Sequence, residues 1–95
     1  MRTATNTFMP LELSAKLIQI YRVLKANPTR WFTNEELAHE SGVKRRTVTA
    51  HARALTAAGI VDRYEEMRNY RFRLCETPNK AVTQALERAA AVLSV

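Results

Sequence analysis

Residues 33–59 read TNEELAHESGVKRRTVTAHARALTAAG, and this stretch decides the fold. Thr33 followed three positions later by Glu36 has the form of a capping box, in which each side chain accepts from the other residue's backbone N–H and so starts a helix. The spacing predicts that helix from Asn34 to Ser41, with Leu37 and Ala38 turned inward. Gly42 then supplies the left-handed residue that a helix uses to stop and redirect sharply. A second helix is predicted from Val43 to Ala58, and Gly59 stops it. At about 100° per residue its positions sort into two faces. Val48, Ala52 and Leu55 fall together, toward a core. Arg46, Thr49, Ala50 and Arg53 fall on the opposite side, where small residues alternate with long cations.

Working outward, Leu11–Ala26 reads as an earlier helix, with Leu13, Leu17, Ile20, Tyr21 and Leu24 in one apolar stripe. Asn27-Pro28 ends it, because the residue before proline is pushed out of the α region. Arg30-Trp31-Phe32 is either a brief strand or an apolar anchor, with Trp31 and Phe32 read as core anchors. Downstream, Ile60–Tyr64 and Tyr70–Leu74 read as two strands. The second alternates cleanly, with Tyr70, Phe72 and Leu74 on one face and Arg71 and Arg73 on the other. The polar run Glu65–Asn69 is the expected hairpin tip. Thr77 is the expected cap of a last helix, with Pro78 at its first position. That helix is predicted from Ala81 to Val95, with a stripe of Val82, Ala85, Leu86, Ala89, Val92 and Leu93. The order is helix, short strand, helix, turn, helix, two-strand hairpin, helix. This outline is mainly α with a small β-hairpin wing, that of a winged helix-turn-helix.

The 95 residues suit one domain. Fifteen Lys and Arg against nine Asp and Glu give a net charge of +6 and a pI near 10.1. Between Val43 and Leu74, eight basic residues face three acidic ones, a net +5, so nearly all of the excess sits in the predicted helix and hairpin. Such a balance attracts polyanions, either nucleic acid or an anionic membrane surface. The basic helix carries no broad band of large apolar residues to insert into a bilayer, which weighs against the membrane. No apolar run nears the ~20 residues that span a bilayer, and Met1–Pro10 lacks the apolar stretch of a secretory signal.

Catalytic and metal chemistry find little support. Cys75 is the single cysteine and cannot form an internal disulfide or a multi-thiolate site. No nucleophile stands with a His and an acid in a motif, and no Gly-rich phosphate loop exists. Neighbouring His39 and Glu40 point about 100° apart on a helix, as solvated surface groups do. His51, at the border of the core face, is expected to be partly buried. The expectation is therefore no enzyme activity, no cofactor and no metal.

Glu36-Leu37-Ala38, Ser41-Gly42-Val43, Thr47-Val48-Thr49 and the run His51–Leu55 resemble the helix-turn-helix of bacterial winged-helix regulators. Ala58-Gly59-Ile60-Val61 and Tyr70-Arg71-Phe72-Arg73-Leu74 resemble their wing. The likeness is to regulators of the ArsR and MarR type, over roughly Thr33 to Leu74. It implies a cytoplasmic, usually dimeric, transcription regulator whose third helix reads the major groove while the wing touches the adjacent backbone or minor groove. The paired cysteines of metal sensors in that group are missing. Ala52 stands where such proteins often carry leucine, and Glu65 and Glu66 place negative charge near the wing tip.

On this reading Lys44, Arg45, Arg46, Thr47, Thr49, Ala50 and Arg53 contact DNA from the recognition helix, and Arg63, Arg68 and Arg71 from the wing. Arg46 and Arg53 are placed to reach base edges, and Lys44 and Arg45 to meet phosphates. Arg71 and Arg73 have the rival reading of simply pairing with nearby acids. The expected organisation is a disordered segment at 1–10, a DNA-binding domain at 11–76, and a C-terminal dimerisation helix at 77–95. A homodimer would form through the first and last helices. The leading functional expectation is a sequence-specific repressor acting by operator occupancy. The alternatives are a phage or plasmid architectural or replication-associated DNA-binding protein, and a winged-helix protein-interaction module.

Overall fold

A computed structural model describes residues 12–93. Its elements run α1 (Ala15–Ala26), β1 (Phe32–Thr33), α2 (Asn34–Ser41), α3 (Arg45–Ala57), β2 (Val61–Glu66), β3 (Asn69–Leu74) and α4 (Lys80–Leu93). The strands form one antiparallel sheet in the order β1-β3-β2. The helices and the sheet together make a winged helix-turn-helix. The expected segment 1–10, a helix start at Leu11 and a helix end at Val95 lie outside the described residues.

Side-chain caps set where α1 and α2 begin. Ser14 is extended, and its Oγ accepts from the Leu17 N–H at 3.2 Å, so α1 starts at Ala15. Leu13 precedes that cap and leaves the expected stripe; it is 40% exposed, while Ile18 joins Leu17, Ile20, Tyr21 and Leu24 in the core. The capping box of α2 is complete. Glu36 accepts from the Thr33 N–H at 2.9 Å, and Thr33 Oγ1 accepts from the Glu36 N–H at 3.1 Å. Gly42 closes α2 at φ 75°, in the left-handed region.

The expected start of α3 at Val43 is corrected to Arg45. Ser41 donates to the Leu37 carbonyl at 2.6 Å and accepts from the Val43 N–H at 3.2 Å, which holds Val43 in the turn. Val43 itself is buried against the core. At the other end Gly59 takes φ 79°, and Ile60 donates back to Leu55.

The hairpin is tighter than the sequence suggested. Pairing runs without a break from Val61↔Leu74 to Glu66↔Asn69. The loop is therefore Met67-Arg68 alone, not Glu65–Asn69, and both residues have positive φ, 49° and 72°. Such mirror-type turns match the right-handed twist of paired strands. Residues directly opposite in this register share a face, so Val61, Phe72 and Leu74 turn toward the helices.

Adjacent residues of an extended chain point to opposite sides. Phe32 enters the core, fully buried. Trp31 cannot follow it and lies half-buried on the outer face, edge-on to Tyr64 at 4.5 Å between ring centroids and beneath the Arg73 guanidinium. The expectation of two core anchors thus holds for Phe32 only.

Asn79, not Thr77, caps α4. Its Oδ1 accepts from the Val82 N–H at 3.1 Å, and its own N–H donates to the Gly59 carbonyl at 3.1 Å. The helix then lies back on α1, with Leu86 fully buried in the common core. No helix among the described residues is long and apolar enough to cross a membrane.

Candidate nucleic-acid interface

The core orients α3. Val48, Ala52 and Leu55 are each buried, at 0%, 2% and 0% exposure, which turns the opposite side of the helix to solvent. Ala52 fills its place as a small residue without leaving itself accessible. On the outer side Lys44, Arg45, Arg46, Ala50 and Arg53 are exposed, while Thr47 and Thr49 are half-buried. Thr49 donates to the Arg45 carbonyl at 3.0 Å, which keeps its side chain close to the helix. Its oxygen lone pairs and methyl group remain for another contact.

Few acids compete for these cations. Arg45 lies 4.0 Å from Glu35, with both side chains largely solvated. Such a pair contributes little to stability and is readily exchanged. Lys44, Arg46 and Arg53 make no ion pair among the described residues. The helix and its N-cap therefore present Lys44, Arg46 and Arg53 with no acidic partner among the described residues.

The wing treats its arginines differently. Arg71 bonds Glu66 through Nε at 3.0 Å. Arg73 lies 4.0 Å from Asp62 and stacks on Trp31 at 4.5 Å. Arg63 is exposed but lies over the Tyr70 ring at 4.5 Å. Arg68 stands at the hairpin tip with no ion pair or hydrogen bond among the described residues. Of the three wing arginines singled out in the sequence, only Arg68 is uncommitted.

Folding brings the start of α3 beside the tip end of the wing, where β3 begins. A cleft between them is lined by Thr33, Asn34, Glu35, Arg45, Asn69 and Tyr70. Sequence reasoning did not put Asn69 or Tyr70 in the site. The alternation of β3 put Tyr70 on the same face as Phe72 and Leu74, but the strand extends past the core there, and the residue is 41% exposed. At the hairpin tip Met67 is 89% exposed, and the Met-Arg turn was not legible as a two-residue hairpin because it lacks the usual Asn-Gly or Asp-Gly chemistry.

The Cys75 thiol donates to Asp62 at 3.2 Å, and burial together with that carboxylate pushes its pKa up to about 11, so it stays protonated at neutral pH. His51 is half-buried and His39 exposed. Among the described residues no three His, Cys, Asp or Glu side chains cluster as metal ligands would. What remains is the basic outer side of α3, backed by the buried Val48, Ala52 and Leu55. Arg46 and Arg53 each offer a planar fork of donors, which fits guanine O6 and N7 or a phosphate.

Comparison with known proteins points the same way. A family model described as winged helix-turn-helix DNA-binding matches residues 13–62, just over half of the chain. Among solved structures, the chain is similar to a possible transcriptional regulator from Methanosarcina mazei Go1. The identity is 13%, over 88% of this chain and 72% of that one, with a TM-score of 0.65. It is also similar to the homodimeric winged helix-turn-helix DNA-binding domain of a possible ArsR-family transcriptional regulator from Mycobacterium bovis. There the identity is 20%, over 85% of this chain and 69% of that one, with a TM-score of 0.55. No curated protein matches the sequence.

Proposed function

Because the chain belongs to the winged helix-turn-helix DNA-binding family, we propose that it is a sequence-specific duplex-DNA-binding transcription regulator that represses by occupying its operator. The observation that carries this reading is the outer face of α3. Arg46 and Arg53 stand exposed and unpaired among the described residues, one turn either side of the small Ala50. A small residue at that point lets the helix sit deep in the major groove, and the two forks then reach base edges. Lys44 and Arg45 meet the backbone at the helix start, Thr47 and Thr49 add hydroxyl contacts, and Arg63, Arg68 and Arg71 serve from the wing. The two structural neighbours described as possible transcriptional regulators support the regulatory role.

In the same reading, residues 11–76 form the DNA-binding unit and the helix within 77–95 joins two copies, with α1, in a homodimer. Leu13, Val92 and Leu93 are exposed apolar residues on these two helices and just ahead of them. The Mycobacterium bovis domain is itself described as homodimeric. A two-fold pair would read a palindrome with half-sites about one helical turn apart. On this reading the protein works in the cytoplasm, where a bacterial-type regulator meets its DNA.

The test is fluorescence anisotropy with a labelled random-sequence duplex at several salt concentrations. Wild type should bind with an affinity that falls steeply with salt, since each phosphate contact releases counterions. The Arg46→Ala/Arg53→Ala double variant should bind clearly more weakly. Equal binding by the two proteins, or no binding by wild type at low salt, would refute the proposed surface.

A further inference from the structure

The turn at the tip of the wing carries two long side chains where hairpins of this kind usually place asparagine, aspartate or glycine. Met67 and Arg68 both sit in the left-handed region, φ 49° and 72°, where glycine is at ease and long side chains are not. A methionine held there would ordinarily be repaid by packing, yet Met67 is 89% exposed. Arg68 beside it has no partner among the described residues. The two foremost side chains of the hairpin are thus one apolar group and one free cation, both held by a tight turn on a fully paired ribbon.

The charges behind the tip restrict how it can meet DNA. Arg71 neutralises Glu66 at 3.0 Å, but Glu65 has no ion pair among the described residues. An uncompensated carboxylate disfavours laying the wing along a single phosphate strand. A tip that enters between the two strands keeps Glu65 behind it and sends Arg68 into the negative potential of the minor groove. Met67 then faces the edges of the base pairs.

Resting on the DNA-binding reading above, we propose that Met67 is an apolar wedge that enters the minor groove, partly unstacks a base step and bends the duplex, with Arg68 holding it there by charge. An inserted apolar side chain is one of the recurrent means by which proteins kink DNA toward the major groove. Flexible pyrimidine–purine steps are easiest to unstack, so such a step is expected where the wing enters. The wing would select its site by deformability, while α3 reads base edges.

The experiment uses a duplex enriched from a random pool by the wild-type chain, with donor and acceptor dyes at its two ends. Wild type should shorten the end-to-end distance. Met67→Leu should shorten it equally, because the wedge stays apolar. Met67→Ala should leave the duplex straight and bind about threefold to tenfold more weakly, with the salt dependence unchanged, as loss of apolar contact alone requires. Arg68→Ala should reduce the salt slope by about one. Met67 lies outside the core, so its variants fold. If the wild type binds tightly but leaves the duplex straight, or if Met67→Ala bends it as fully, the wedge is refuted while the DNA-binding reading stands. If the wild type enriches no duplex at all, the DNA-binding reading fails first and takes the wedge with it.

Discussion

The Tyr21 hydroxyl donates to the Glu87 carboxylate across 2.6 Å and fastens α4 onto α1. Lys25 pairs with the same carboxylate one turn further along α1, and Arg22 donates to the Ala90 carbonyl at 2.8 Å. Beneath these bonds lies Leu86. The last helix is therefore both a wall of the domain's own core and the carrier of the exposed Val92 and Leu93.

Removing that wall should be costly. Leu86→Ala is expected to destabilise the protein by about 2–5 kcal/mol, the range for a buried leucine replaced by alanine. Urea unfolding followed by far-UV circular dichroism measures it. A change below about 0.5 kcal/mol would mean that α4 is not part of the folding unit.

The Tyr21–Glu87 bond makes stability depend on pH in a definite direction. Lys25 first, and Tyr21 second, hold the Glu87 carboxyl below its ordinary value of 4.5. A group whose pKa is lowered on folding contributes stability above its unfolded pKa and loses it as pH falls through the folded value. Burial first, and the bond to Glu87 second, raise the Tyr21 pKa, so its contribution is present below pH 10 and is lost only at higher pH. Tyr21→Phe should cost about 1 kcal/mol at neutral pH, the usual worth of such a bond. Glu87→Gln should flatten the loss of stability between pH 5 and pH 3, roughly the window set by ordinary carboxylate titration. Denaturation midpoints measured across that range decide both.

The capping box supplies a second acid-sensitive element. Its bond from the Thr33 backbone is the largest influence lowering the Glu36 pKa. Thr33→Ala is expected to cost about 1 kcal/mol, and Thr33→Ser much less, since serine caps as well. Glu36→Gln should retain part of the cap, because a neutral amide oxygen still accepts from the Thr33 N–H. Thermal unfolding of the three variants ranks them.

Gly42 isolates a backbone effect from a packing effect. A Cβ there would meet nothing within 4 Å, yet φ is 75°. Gly42→Ala should therefore cost roughly 1–2 kcal/mol through backbone conformation alone. Gly42→Asn should recover part of it, because asparagine tolerates the left-handed region. Equal stability of the alanine and asparagine variants would contradict this account.

On the proposed DNA-binding surface, Glu35 is expected to tune affinity electrostatically. It lies 4.0 Å from Arg45 at the mouth of the cleft between α3 and the wing. Glu35→Gln should strengthen binding to a random duplex by about threefold at low salt, and by less as added salt screens the charge. Anisotropy titrations at two ionic strengths test this, and unchanged affinity at low salt would place Glu35 away from the DNA.

Local signals carried much of this structure. Thr33, Glu36 and Gly42 specify a start and a stop through hydrogen bonds and dihedral angles that span only a few residues. The face of α3 that holds Val48, Ala52 and Leu55 follows from helical periodicity. Trp31 was legible in principle, since neighbours in a strand cannot share a face, and Phe32 had the stronger claim on the core. Asn79 was hidden, because its capping role depends on an anchor to Gly59, twenty positions earlier in the chain.

By itself, then, the sequence determined the helices, the turn at Gly42, the strand alternation and the concentration of charge on α3, because each depends on contacts between residues close together in the chain. Only the tertiary structure decided which cations stay free and which are spent on Glu66, Asp62 or an aromatic ring. It alone set the register that leaves Met67 and Arg68 at the tip, placed Tyr70 beside Arg45, and laid α4 on α1. Those outcomes rest on pairings between distant segments, where burial and the meeting of opposite charges are settled only when the whole core closes.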